Sequence, residues 1–203
     1  MNASPVETPN VTEKYRTLLA ERRRVLREQT VAFIPAGASF VWEIGAGHGH
    51  FLTAYAQAHP TKLCVGIDIV GERVERAGRK RDRAKLANLA FFHAEARLFL
   101  QSIPPGARIA EIFVLFPDPW PKLRHRKHRI MQPGFLAAVA EHAAPDCRLY
   151  FRTDFGPYFE DTLEVVRSHP RWALAADAWP FEYETVFQKR APSYQSLVAG
   201  LRP

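Results

Sequence analysis

Apolar and polar positions alternate along this chain in blocks that predict strands and helices in turn. Short apolar runs that are typical of buried strands occur at 40–44, 63–67, 89–93, 112–116 and 148–153. Segments with helical spacing separate these runs, at 50–59, 71–87, 96–101, 133–143 and 157–168. Two late strands are predicted at 172–176 and 183–187, so the pattern predicts seven strands.

The start of the chain divides into a tail and a basic helix. Residues 1–10 contain two prolines and few apolar positions, and they are predicted to form a flexible tail. Residues 11–30 have apolar residues at helical spacing, with Arg22, Arg23, Arg24 and Arg27 on a solvated face. Because a chain of 203 residues suits one domain with a full core, residues 11–203 are expected to form a single domain.

The alternation of strands and helices predicts an α/β fold, with a mostly parallel seven-stranded sheet and helices on both faces. Sheets of this kind bind ligands at the carboxyl ends of their strands. Carboxylates fall at or just beyond four of these predicted ends, at Glu43, Asp68, Glu95 and Asp118. We expect the four side chains to gather along one edge of the sheet.

A glycine-rich turn follows the first of these strands. The segment Glu43-Ile44-Gly45-Ala46-Gly47-His48-Gly49 opens a predicted helix, and its glycines allow a tight turn and a close approach to a ligand. The dinucleotide fingerprint GxGxxG is incomplete, because position 50 is histidine. Asp68 ends the second strand, 23 residues after Gly45, where an acid commonly accepts hydrogen bonds from ribose hydroxyls. The alternative is a tight turn in which Asp68 serves only as a cap.

Glu43 favours one nucleoside cofactor over another. S-adenosylmethionine carries a sulfonium and an ammonium group, whereas a nicotinamide dinucleotide carries a pyrophosphate. A carboxylate beside the glycine turn attracts the cation and repels the phosphates. The pattern therefore favours S-adenosylmethionine, with Gly45 and Gly47 in the turn that binds it.

The charge of the chain adds a second expectation. Of the 203 residues, 28 are Lys or Arg and 21 are Asp or Glu, which gives a formal net charge of +7. Such an excess favours a polyanionic partner, although a basic but solvated surface is equally compatible with charge alone.

Other classes of protein fit the sequence poorly. Cys64 and Cys147 lack the spacing of a disulfide scaffold or a zinc site, and His48 and His50 lack a third ligand, so no metal is expected. No apolar run approaches the roughly 20 residues that span a bilayer, and the first residues do not resemble a secretory signal. We therefore expect a cytoplasmic protein without a membrane partner.

The most specific segment is Phe116-Pro117-Asp118-Pro119-Trp120-Pro121-Lys122. Three prolines within five residues restrict the backbone and present Asp118 and Trp120 in a rigid loop. The next stretch is strongly basic, with five Lys or Arg and two His between Lys122 and Arg129. A basic run is often only a solvated face, but this one adjoins a candidate active-site acid.

The segment FPDPWPKLRHRKHR resembles the signature of the bacterial-type tRNA (guanine-N7)-methyltransferases. The resemblance extends through Glu43–Gly47, Gly66–Asp68, His93–Ala96 and Thr153-Asp154, and more weakly through Thr185–Gln188. It implies a Rossmann-like methyltransferase fold, S-adenosylmethionine as the methyl donor, and a guanine in the tRNA variable loop as the substrate. The expected partner is therefore tRNA, while the sequence leaves open whether the protein is a monomer or a homodimer.

The resemblance also implies roles for individual residues. The donor site would be lined by Glu43, Asp68, Glu95 and Asp118, and Asp118 would be the catalytic residue that faces the guanine. The substrate would be contacted by Lys122, Asp154, Thr185 and Gln188. The phosphates of the RNA would be bound by Arg124, Arg126, Lys127 and Arg129.

Three positions depart from the family pattern. Asp68 stands where the family usually has Glu, Glu95 where it has Asp or Asn, and Gln188 where it has a carboxylate. These departures keep other readings open, namely a methyltransferase for a different substrate and an RNA-binding relative that has lost catalysis. A nicotinamide oxidoreductase is a third alternative, disfavoured by the incomplete fingerprint and by Glu43.

Overall fold

The structure of the protein, a computed structural model, describes residues 11–184, 188–189, 191 and 193–202. Residues 1–10, which the sequence predicts to be a flexible tail, lie outside this part. The α-helices of the described part are α1 (Val11–Phe33), α2 (His50–Ala58), α3 (Gly71–Arg83), α4 (Ala96–Leu100), α5 (Pro133–Ala140) and α6 (Gly156–Ser168). A 3-10 helix covers Leu123–His128.

The strands form one sheet in the spatial order β3-β2-β1-β4-β5-β7-β6. Their bounds are β1 (Ser39–Ile44), β2 (Leu63–Asp68), β3 (Leu89–His93), β4 (Arg108–Leu115), β5 (Ala143–Thr153), β6 (Trp172–Leu174) and β7 (Gln195–Leu201). The first five strands pair in parallel, and β7 pairs antiparallel with both β5 and β6. This is the mostly parallel seven-stranded sheet that the sequence predicts.

Apolar side chains cover both faces of the sheet. In β1, Phe40 and Trp42 point into a core shared with α1, α4, α5 and α6, whereas Val41 points into a second core with α2. This alternation follows from the two-residue period of a strand, and a central parallel strand is apolar on both faces because helices pack on each of them. Helices on both faces of the sheet are thus confirmed.

The prediction of the last strand was wrong. Residues 183–184 are not part of a strand, and residues 185–187 lie outside the described part. The seventh strand is instead β7, where Leu197 and Ala199 face one core and Val198 faces the other. Because both faces of β7 are buried, its sequence lacks the polar alternation by which an edge strand is recognised.

The parallel arrangement brings the ends of five strands to one edge. Strands β3, β2, β1, β4 and β5 are consecutive neighbours, so the residues that follow them also lie side by side. These residues include, in the same order across the sheet, Glu95, Asp68, Glu43, Asp118 and Asp154. The edge is therefore where the predicted site residues are brought together.

Candidate functional site

The glycine turn between β1 and α2 has a conformation that other residues rarely adopt. Gly45, Gly47 and Gly49 have φ angles of 73°, 54° and 68°, all in the left-handed region. A Cβ at Gly49 would lie 2.6 Å from the ring of Phe91 and 2.7 Å from the Cβ of Ala77. The turn therefore packs closely at Gly49 because this position carries no side chain, while Gly45 and Gly47 are favoured by their backbone angles alone.

Asp68 connects this turn to the end of β2. One of its carboxylate oxygens accepts a hydrogen bond from the backbone N–H of Gly47 at 2.9 Å, and the other accepts from the N–H of Val70 at 2.9 Å. The side chain is buried, yet each carboxylate oxygen can accept further hydrogen bonds. Asp68 thus fixes the turn and remains able to bind a hydroxyl.

Glu43 is a buried carboxylate whose hydrogen-bonding capacity is only partly used by the described residues. The residue is only 4% exposed, and its Oε2 atom has no hydrogen-bond partner among the described residues. Burial and the neighbouring Asp68 raise the pKa of Glu43 to about 8, opposed by a hydrogen bond from the backbone N–H of Leu52. A buried carboxyl in this condition is well suited to a cationic ligand, which would restore its charged form.

Glu95 and Asp118 lie on the two sides of this pair. Glu95 is exposed and caps α4, where its carboxylate accepts a hydrogen bond from the backbone N–H of Leu98 at 3.1 Å. Asp118 is exposed in the loop after β4, next to the strand that carries Glu43. Glu43 and Asp68 therefore form the buried centre of the acidic edge, and Glu95 and Asp118 form its solvent-facing ends.

The proline-tryptophan loop is held in place by Arg129. This side chain is 2% exposed, donates to the carbonyl oxygen of Pro119 at 2.8 Å, and forms an ion pair with Asp161. Its guanidinium also stacks on the ring of Tyr158, with 4.7 Å to the ring centre. Arg129, predicted to contact RNA, is thus buried beneath the loop, and the structure assigns it to the support of that loop.

The remaining basic residues of the loop lie at the surface. The side chains of Lys122, Arg124 and Lys127 are exposed around the 3-10 helix, whereas Arg126 is half-buried and lies 3.3 Å from Asp161. The ring of Trp120 is partly exposed and packs against His125 and His128, at 5.8 Å and 5.0 Å between ring centres. The loop is therefore well packed on its inner side and carries exposed cations on its outer side.

The end of β5 carries a second buried arginine. Arg152 pairs with Glu182 at 3.1 Å and donates to the amide oxygen of Gln188 at 3.4 Å. Its guanidinium lies 3.9 Å from the ring centre of Trp179. The predicted substrate residue Gln188 is thus bound to the strand that leads to Asp154, which is exposed.

One predicted site residue lies outside the described part of the chain, and one residue near the site was not predicted. Thr185 lies outside the described residues, so its place relative to Gln188 is not defined. Arg152 was not singled out from the sequence, because an isolated arginine at a strand end carries no pattern of its own. The signal that identifies it is spatial, since its partners come from residues 179–196, beyond α6.

The described residues show no group of three or more His, Cys, Asp or Glu side chains that could hold a metal ion. Within the same residues, no helix is long and apolar enough to cross a membrane. Cys64 and Cys147 are both buried free thiols.

Known proteins resemble this chain over most of its length. A family described as "Putative methyltransferase" matches residues 37–192. A tRNA (guanine-N(7)-)-methyltransferase of Geobacter metallireducens is 33% identical over 144 residues, which are 70% of this chain and 68% of that protein. The Azorhizobium caulinodans protein of the same name is 31% identical over 168 residues, 76% of this chain and 73% of its own length. The match to the Caulobacter vibrioides protein, 35% identical, covers 62% of that relative.

Solved structures of methyltransferases share the fold at low sequence identity. An rRNA methylase from Streptococcus thermophilus aligns with a TM-score of 0.56 and 11% identity, over 98% of this chain and all of that one. TrmN from Thermus thermophilus aligns with a TM-score of 0.58 and 17% identity, over 89% of this chain and 48% of its own. These likenesses establish the Rossmann-like methyltransferase fold alone. The match over residues 37–192 and the identities above 30% show that the chain belongs to the family of bacterial tRNA (guanine-N7)-methyltransferases.

Proposed function

We propose that this protein transfers a methyl group from S-adenosylmethionine to N7 of a guanine in the variable loop of tRNA, and that it does so in the cytoplasm. The observation that carries the proposal is the acidic edge, where Oε2 of buried Glu43 lacks a hydrogen-bond partner among the described residues and a basic loop follows the neighbouring strand β4. The names of the relatives supply the identity of the substrate.

The residues of the acidic edge fit the methyl donor. Bound S-adenosylmethionine supplies a methyl group activated by a positively charged sulfur. Asp68 accepts hydrogen bonds from the ribose hydroxyls, in keeping with its place at the end of β2. Glu43 offers an unpaired carboxylate to a cationic group of the donor, and the glycine turn lets the backbone approach it closely.

The acceptor needs little chemical activation. Guanine N7 has a lone pair in the neutral base, so it attacks the methyl carbon while the carbon–sulfur bond breaks and the electron pair stays on sulfur. No proton leaves the base, and general-base catalysis is not required. The chief task is to align N7 with the methyl group, at about 3–3.5 Å from the carbon.

Asp118 performs this alignment. Its carboxylate accepts hydrogen bonds from the N1–H and the exocyclic amine of guanine, which orients the base and raises the electron density at N7. The rigid setting of the loop supports this role, because Arg129 binds the carbonyl of Pro119 and thereby holds the residue next to Asp118. The surface residues Lys122, Arg124, Arg126 and Lys127 bind phosphates, and Asp154 and Gln188 contact the substrate from the end of β5.

The test is a methyl-transfer assay on unmodified tRNA, with nucleoside analysis of the product. Wild-type protein should form N7-methylguanosine, and Asp118→Ala and Asp118→Asn should each lower turnover by at least about a hundredfold while still binding the donor. Asp146→Asn, at an exposed site near the start of β5, is the matched control and should keep full activity. Full activity in both Asp118 variants would disprove its role, and methylation of a different acceptor would disprove the proposed substrate.

A further inference from the structure

A basic groove runs between α2 and α3, starting at the glycine turn. Two adjoining hollows, of about 360 Å³ and 410 Å³, share the side chains of His50, Lys80 and Arg83. We call this surface the α2–α3 groove and define it by its cationic and imidazole residues, which are His48, His50, Arg76, Arg79, Lys80 and Arg83. Among the described residues, none that lines either hollow is acidic.

The cations of the groove come from one face of α3. Positions 76, 79, 80 and 83 recur at the spacing that brings residues to one side of a helix. Two acids of this helix pair with neighbouring arginines and do not line the hollows, since Asp82 pairs with Arg81 at 2.6 Å and Glu75 lies 4.0 Å from the groove residue Arg79. The positive charge of α3 is therefore concentrated where the helix faces α2.

The groove is fixed to the glycine turn. The ammonium group of Lys80 donates to the backbone carbonyl of His48 at 2.9 Å, and Ala77 packs directly against Gly49. Thr53 of α2 also lines the groove, and its buried hydroxyl has no hydrogen-bond partner among the described residues. The arrangement of cations is thus held by the same turn that binds Asp68.

The cationic side chains of the groove lie close enough to repel one another, and a bound anion would reduce this repulsion. Burial and the nearby Arg83 lower the pKa of Lys80, while burial and the cationic Lys80 lower the pKa of His50. A bound phosphate would offset this repulsion, and repeated phosphates would suit charges that are spread along a helix face.

We propose that the α2–α3 groove binds phosphates of the tRNA backbone, as a second contact in addition to the surface of the 3-10 helix. This inference rests on the proposed function. The strands that lead to the two surfaces, β2 and β4, are separated only by β1, a span of about 10 Å from the usual spacing of strands. A folded RNA is wide enough to contact both surfaces while its target base reaches the edge between them.

The test removes two charges from the groove and compares the result with the removal of two charges elsewhere. Arg76→Gln/Arg83→Gln changes the groove, whereas Arg108→Gln/Arg167→Gln has the same net charge but alters exposed residues near the opposite ends of the strands. The affinity for tRNA is measured between about 50 and 200 mM salt, because each phosphate contact contributes roughly 0.7–0.9 to the slope of log K against log salt. The groove variant should reduce the slope by about 1.5 and raise the KM for tRNA about tenfold. Donor affinity and kcat should not change.

A charge-preserving variant excludes a simple structural defect. Arg76→Lys/Arg83→Lys should keep the wild-type slope, and all variants are checked by thermal unfolding and donor binding. An equal loss of slope in groove and control variants, or no loss in either, would overturn the inference. If wild-type protein methylates tRNA but the groove variant keeps its slope and KM, only the groove assignment fails. If wild-type protein does not methylate tRNA, the proposed function fails first.

Discussion

Replacing Glu43 by Gln tests whether the buried carboxylate binds the methyl donor through its charge. The substitution keeps the size of the side chain and removes its ability to ionise. In the protein without donor, burial raises the pKa of Glu43 to about 8, so most molecules are protonated there at pH 7. Binding of a cation to the carboxylate then requires the loss of one proton.

The size of the effect follows from this pKa. With a pKa of about 8, roughly one molecule in eleven has an ionised Glu43 at pH 7, which weakens donor binding about tenfold. Between pH 6 and pH 7 the ionised fraction rises about tenfold, and the donor affinity should rise by the same factor. The α-amino group of the donor stays protonated in this range, so the change reports on the protein.

Titration calorimetry measures both the affinity for the donor and the number of protons released when the donor binds. At pH 7, wild-type protein should release about 0.9 proton per donor bound, as shown by the dependence of the heat on the buffer. Glu43→Gln should bind the donor more weakly than wild type. Its binding should release no proton, and its donor affinity should not rise tenfold between pH 6 and pH 7. Glu164→Gln, at an exposed site on α6, is the control and should behave like wild type.

A second ligand shows which cation Glu43 faces. The product, S-adenosylhomocysteine, keeps the ammonium group of the donor and lacks the sulfonium. The same pH dependence for both ligands assigns Glu43 to the ammonium, whereas a dependence limited to the donor assigns it to the sulfonium. Wild-type affinities that are equal at pH 6 and pH 7 for both ligands would refute the reasoning.

As the pH rises, the stability of the donor-free protein should fall, whereas its affinity for the donor should rise. A carboxyl whose pKa is raised on folding stabilises the protein fully below its unfolded pKa, and this contribution is lost as the pH rises through the folded pKa. For Glu43 the window runs from 4.5 to about 8, and the loss amounts to about 5 kcal/mol. Relative to wild type, Glu43→Gln should therefore gain about 1.4 kcal/mol per pH unit between pH 5 and pH 8 in denaturant unfolding.

Three further substitutions test the supports of the site. Gly49→Ala should destabilise the fold by about 3 kcal/mol in denaturant unfolding, because a Cβ there meets Phe91 at 2.6 Å with a left-handed backbone; an unchanged midpoint would contradict this. Arg129→Met should cost about 2 kcal/mol and lower kcat, since Asp161 loses its buried partner, although it keeps Arg126 at 3.3 Å, and the loop loses its anchor; an unchanged kcat would count against that anchor. Arg152→Met should raise the KM for tRNA about tenfold with little change in donor affinity. Weaker binding of both tRNA and the donor would point to general unfolding.

Most of the fold could be predicted because the parallel strands are recognisable in the sequence as apolar runs. Strands β1 to β5 are covered on both faces, so runs such as 63–67 contain almost no polar residue. The last strand was misplaced because β7 pairs with two antiparallel neighbours and depends on contacts that are remote in sequence. Local propensity does not distinguish it from the residues just before it.

The site could be predicted as a set of residue types but not as a set of environments. The position of Asp68 at the end of β2 followed from the apolar run before it, whereas the hydrogen bonds that it accepts from the backbone N–H groups of Gly47 and Val70 depend on the turn and could not be predicted. The burial of Arg129 could not be foreseen, because in sequence it is one more cation in a basic run and only the fold places Asp161 and Tyr158 around it. For the same reason the sequence did not separate the groove face of α3 from its other faces.

The proposed reaction explains why acids and cations are separated on this protein. The acidic edge attracts a positively charged donor, while the 3-10 helix and the α2–α3 groove attract a polyanion, and mixing the two sets would weaken both. Methyl transfer moves the positive charge from sulfur to the guanine ring, because N7 gives up its lone pair and no proton leaves. Asp118 lies after β4, beside the strand that carries Glu43, so both acids lie along the edge at which the charge moves. Once the sulfur is neutral, the edge has lost one of its attractions for the product, and protonation of Glu43 then favours its release.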